Sequence, residues 1–98
     1  MVKLRWSLLA ADDLENICSY IALDSEKYAK IVAQEIVSTV ESISVFPYSG
    51  KVVPKFNPEN IREKIIRNYR IIYRIHDEYV EVVRIIHQSR QLKIKLDG

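Results

Sequence analysis

The sequence is poor in residues that cross-link, break or loosen a chain: its 98 residues include one Cys, two Gly, three Pro and one Trp. The lone Cys18 excludes an intramolecular disulfide. With only the separated His76 and His87 beside it, no four-ligand zinc spacing exists, so neither a metal nor a cofactor is expected. The scarcity of Gly and Pro excludes collagen-like and low-complexity chains. No uninterrupted apolar run approaches a bilayer span, and the opening MVKLRWSLLAADD reaches acidic residues too early for a signal-peptide core. The expectation is a cytoplasmic protein in a reducing setting, with no membrane partner.

What is present is enough for one core. Hydrophobic residues make up 48% of the chain and charged residues 29%, and a chain of this length buries roughly 60 to 68% of its unfolded surface. A single domain over residues 1–98 is expected, with 91–98 as a flexible tail. The net charge of +2 is an average of two unlike halves. Residues 1–45 carry four Lys/Arg against seven Asp/Glu (net −3), and residues 46–98 carry eleven against six (net +5).

Residues 2–6 alternate in strand fashion, with Val2, Leu4 and Trp6 on one side. Ser7 opens a helix over about 8–23, with Asp12, Asp13 and Glu15 beside its positive end and Ala10, Leu14, Ile17, Cys18 and Ile21 at helical spacing. Ser25 caps a second helix whose apolar stripe runs Ala29, Val32, Ala33, Ile36, Val37, Val40 and Ile43. The short Asp24-Ser25 link makes the two an antiparallel pair. Pro47 and Gly50 end the helical pattern, and FPYSGKVVPKFNPEN reads as a loop around a short extended piece. Three strands follow, about 62–67, 69–76 and 79–86, the last two joined at Asp77-Glu78. The class is α+β: an N-terminal strand, a helix hairpin and a C-terminal three-stranded antiparallel meander in one sheet, with the helices on one face. In the middle strand Tyr69, Ile71, Tyr73 and Ile75 point to the helices, and Arg70, Ile72, Arg74 and His76 point away. The alternation of 79–86 is less clean and fixes no register.

The basic half holds the candidate chemistry. Arg62, Lys64, Arg70, His87 and Arg90 are candidate catalytic or target-binding residues, with Arg67, Arg74, Arg84, Lys93 and Lys95 extending a basic surface. Guanidinium groups orient phosphate and stabilise charge on a transferring phosphoryl group, so RNA cleavage is chemically open. A solvated sheet face, or a docking surface for an acidic protein segment, accounts for the same charge. His87 has the right proton affinity for a general acid or base, or acts as a structural hydrogen-bonding group. Tyr69, Tyr73, Cys18 and Trp6 read as core residues.

Taken together, AADDLENICSYIA, the second helix ending near SISVFPYSGKVVP, and REKIIRNYRIIYRIHDEYVEVVRIIHQSR resemble the RelE/ParE superfamily of type II toxins over about residues 2–90. The resemblance implies a growth-inhibiting toxin of the kind found in plasmid stabilization modules. It also implies a covering antitoxin, with homo-oligomeric or hetero-oligomeric assembly. Two activities then diverge. RelE-like members cleave messenger RNA on translating ribosomes, a pattern that places Arg70 and Arg90 at the scissile phosphate and Arg62 and Lys64 as the basic pair before it. ParE-like members bind and disturb DNA gyrase without hydrolysing anything. The RelE-like pattern expects a tyrosine beyond the final arginine, and this chain reads SRQLKIKLDG instead. With HQSR and the compact helix pair, the resemblance leans to the ParE-like branch and a gyrase-directed binding toxin. The messenger-RNA endonuclease and a purely binding or inactive domain are the alternatives.

Overall fold

In the computed structural model, residues 1–53 and 59–89 are described. The element order is β1 (Lys3–Trp6), α1 (Leu8–Ala22), α2 (Glu26–Val45), a 3₁₀ turn (Pro47–Ser49), β2 (Lys51–Val52), β3 (Ile61–Ile66), β4 (Tyr69–Ile75) and β5 (Tyr79–His87). The five strands form one sheet in the order β1-β5-β4-β3-β2, with β1 parallel to β5 and the other neighbours antiparallel. The α+β architecture expected from the sequence is the one observed. The extended piece foreseen in the loop is β2, while residues 54–58 and the expected tail at 91–98 lie outside the described residues. Among the described residues no helix is long and apolar enough to cross a membrane.

Both helices begin where a serine satisfies an orphan backbone donor. Ser7 Oγ accepts from Ala10 N at 3.0 Å and Ser25 Oγ accepts from Tyr28 N at 3.0 Å. The stripe on α2 is buried at Ala29, Val32, Ile36, Val40 and Ile43. It packs with Ala10 of α1 against Ile71 and Tyr73 of β4 and Val80, Val82 and Ile85 of β5, while Leu4 and Trp6 of β1 close the cluster. The acidic residues of α1 do not serve its first turn, which holds none. Asp13 lies one turn further on and reaches the sheet instead.

The uneven alternation of β5 has a local cause. Tyr73 pairs with Val82 and Ile72 with Arg84, so Val83 is an extra residue with no partner opposite it on β4. Such a bulge shifts the phase of inward and outward residues, which is why Val82 and Ile85 both join the helix-side core. On the opposite face Val53, Ile61, Ile72 and Ile86 form a second buried cluster, with Val83 packed against it. That face is therefore apolar at its centre, where strand alternation alone pointed to a basic surface.

The hairpin between β3 and β4 turns at Arg67-Asn68, with Arg67 at φ 53°. A positive φ at the first turn residue suits the twist of a two-residue hairpin but is unfavourable for a side chain with a Cβ. The Arg67 guanidinium is anchored on α2, donating to Glu35 Oε1 at 2.8 Å and Oε2 at 2.6 Å and to Tyr28 Oη at 2.9 Å. The hydrogen bonds from Arg67 hold the Glu35 carboxyl below its ordinary proton affinity. A lowered carboxylate stabilises the fold above the ordinary carboxylate range and loses that contribution as pH falls through the lowered value. The expected result is that the stability margin of the native chain over Glu35→Gln shrinks on acidification. Urea midpoints taken from neutral pH down through the carboxylate range check this, and a constant margin would contradict it.

Candidate functional site

The ten basic and histidine candidates do not gather at one place. Arg62 and Lys64 share the helix side of β3, opposite Tyr73 and Ile71 respectively. Arg62 donates to the carbonyl oxygens of Glu59 (3.0 Å), Tyr48 (3.3 Å) and Gly50 (3.0 Å), which ties β3 to the loop around the 3₁₀ turn. Lys64 donates to Ser42 Oγ of α2 at 3.1 Å. Arg70 lies on the other face. Its Nε donates to Glu63 Oε2 at 2.8 Å, and its Nη2 makes a second, shorter bond to the same oxygen. The Arg70 and Glu63 side chains are 16% and 7% exposed, so this is a largely desolvated ion pair. Glu63 stands opposite Ile72, which makes Arg70 its diagonal cross-strand neighbour.

His87 ends β5 on the helix side, edge-on to Tyr69 with ring centroids 5.8 Å apart. Its Nδ1 lies 2.7 Å from Ser89 Oγ and accepts from Ser89 N at 3.2 Å. The basic extension is similarly engaged. Arg67 is paired with Glu35, and Arg84 binds Asp13 with Nε to Oδ2 at 2.7 Å and Nη2 to Oδ1 at 2.9 Å. Asp13 Oδ2 also accepts from Ile85 N at 2.9 Å, and Ser7 Oγ donates to Val83 O at 2.8 Å. Where β1 stops, side chains from the start of α1 thus complete the hydrogen bonding of the β5 edge. The hydrogen bonds to Asp13 raise the proton affinity of Arg84, keeping the cation fixed. Arg74 stands on β4 opposite Ile61 and Glu81. Arg90, Lys93 and Lys95 lie outside the described residues.

The partners that decide this arrangement, Asp13, Glu35 and Glu63, were missed in the sequence. Only Glu63 carried a local signal, as an acid placed diagonally across a hairpin from an arginine. Among the described residues no three His, Cys, Asp or Glu side chains converge in a way that would hold a metal ion. The chemistry available on the far face is one guanidinium–carboxylate pair beside an apolar patch, a surface better suited to protein contact than to proton transfer.

Residues 4–92 match the family described as the ParE toxin of type II toxin–antitoxin system, parDE. The chain belongs to this family. A relative of this ParE-family toxin is the Sinorhizobium fredii protein Y4kP, named as a candidate toxin, 30% identical over 91 residues and covering 91% of each chain. Among solved structures, a chain of the chromosomal ParDE system from P. aeruginosa superimposes with a TM-score of 0.74 at 23% identity, covering 89% of this toxin and 96% of that chain. A chain of the toxin–antitoxin complex RelBE2 from Mycobacterium tuberculosis gives 0.63 at 21% identity, covering 88% and 96%. At these identities the two structures show a shared fold.

Proposed function

We propose that this ParE-family toxin acts by binding DNA gyrase, breaking no bond itself, and that an antitoxin covers it in the resting cytoplasm. The observation that carries this reading is the Arg70–Glu63 pair. A guanidinium held by a buried carboxylate has its donors and its charge already engaged, which opposes use as a phosphate clamp in RNA cleavage. Arg62 and Lys64 project from the opposite side of the sheet, and His87 bonds with Ser89, so the described residues supply no converging acid–base set. The antitoxin reading is supported by large apolar side chains left in water on the helix hairpin: Leu8 is 86%, Leu23 82% and Tyr20 76% exposed. Contiguous apolar surface of this kind is typical of a partner interface. The similar ParDE and RelBE2 chains come from toxin–antitoxin systems.

The test is a supercoiling assay with purified toxin, gyrase and relaxed plasmid, without ribosomes. Supercoiling is expected to fall as the toxin approaches the gyrase concentration, and adding a cognate antitoxin is expected to restore it. No effect from saturating folded toxin would refute the gyrase reading. Messenger-RNA cleavage on translating ribosomes would then move the assignment to the RelE-like activity.

A further inference from the structure

Lys51 and Lys64 differ from the other cations of the basic half. Arg67, Arg70 and Arg84 each meet a carboxylate. Lys64 instead meets a neutral hydroxyl, that of Ser42, and the Lys51 ammonium has no hydrogen bond or ion pair among the described residues. Both line a groove of about 490 Å³ between α2 and the sheet edge, together with Thr39, Ser42 and Ser49. The groove exists because β2 is only two residues long and its pairing with β3 stops at Lys51 opposite Glu63. The outer edge of β3 beyond that point is left without a strand beside it. Glu63 also borders the groove, but its carboxylate is held by Arg70 on the other face.

The groove runs on past Thr39 into a second hollow lined by Gln34, Glu35 and Ser38 of α2. Glu35, the acid of that stretch, is neutralised by Arg67. The path therefore offers two uncompensated ammonium groups, an amide and hydroxyls, with both bordering carboxylates already paired. Those are the side-chain types that hold nucleic-acid phosphates. A lysine serving only to tether β3 to α2 would be better satisfied by a carboxylate, as the three paired arginines are.

We infer that this groove is a contact for the phosphodiester backbone of a nucleic acid, with Lys51 and Lys64 supplying the charge. The contact is separate from the Arg70 face and goes beyond the gyrase reading. It is tested by anisotropy with short labelled duplex DNA and, in a second arm, single-stranded RNA, using the intact toxin over a salt series. Lys51→Gln/Lys64→Gln is expected to weaken binding roughly tenfold at low salt. It should also flatten the slope of log affinity against log salt by about 1.8 for duplex or about 1.4 for single strand. The single change Lys51→Gln, at an exposed position, should remove half of that slope even if Lys64→Gln disturbs folding. Lys3→Gln/Arg5→Gln removes the same charge from β1 at the opposite edge of the sheet and should leave binding near the native level. Lysine-dependent binding in either arm supports the contact and shows which nucleic acid is favoured. Absence of binding in both arms, an unchanged slope in the Lys51→Gln variant, or an equal loss in the β1 control would overturn it. Gyrase is absent from the assay, so this result and the supercoiling result stand or fall separately.

Discussion

Gly50→Ala is expected to destabilise the fold by on the order of 3 kcal/mol, from overpacking together with a disrupted buried hydrogen bond. Gly50 has φ −75° and ψ 159°, a backbone open to any residue, so the requirement for glycine is one of space. A Cβ there would lie 2.7 Å from the Glu63 carbonyl oxygen and 2.9 Å from Tyr73 Cε1, and closer still to the Tyr73 hydroxyl. Neither neighbour is free to yield. The Glu63 carbonyl belongs to β3, and Tyr73 is fully buried, with its hydroxyl accepting from Gly50 N at 2.9 Å and donating to Pro47 O at 2.7 Å. This small network fixes the chain where it leaves α2 and enters the sheet. Tyr73→Phe alone should cost about 1–3 kcal/mol, by leaving the Gly50 N–H and the Pro47 carbonyl without their partner. Because the tyrosine hydroxyl is also the nearest obstacle to the alanine methyl, the double variant should lose less than the two single changes together. Urea unfolding of all four proteins measures this coupling. A Gly50→Ala protein as stable as the native chain would refute the steric account.

Arg70→Ala should be nearly as harmful, for an electrostatic reason. It leaves the Glu63 carboxylate, 7% exposed, without its counter-charge, and breaking one side of a buried pair costs about 3–5 kcal/mol. Replacing both partners, as Glu63→Leu/Arg70→Met, removes the buried charges together and should restore thermal stability to near the native value. A double variant that melts as early as Arg70→Ala would show that the pair is not the source of the loss. The comparison also bears on activity. Loss of function in Arg70→Ala alone confounds unfolding with lost phosphate contact, whereas a folded double variant separates them. On the gyrase reading the double variant keeps its fold and remains able to inhibit unless the Arg70 face itself touches the target.

Much of the architecture was legible because periodicity is a local property. The stripe from Ala29 to Ile43 describes one side of an α-helix wherever that helix packs, and the alternation from Tyr69 to Ile75 separates two sides of a strand before its neighbours are known. Ser7 and Ser25 were legible as caps for the same reason. The bulge at Val83 was not. Its position depends on which β4 residue each β5 residue meets, and Val, Arg and Ile at 83–85 give no break in composition.

The candidate site was legible only as a list of residue types. The sequence determined that the second half carries the positive charge and that Arg62, Lys64, Arg70 and Arg84 lie on or beside strands. Tertiary structure decided which of those charges remain available. Asp13 meets Arg84 across 71 positions and Glu35 meets Arg67 across 32, distances in sequence over which no pattern links one residue to another. The acidic first half, which reads as helical support, thereby neutralises much of the basic second half. Formal charge is fixed by composition, but the field a partner meets depends on which opposite charges lie within hydrogen-bonding reach, and that distance is set by packing the helix hairpin onto the sheet.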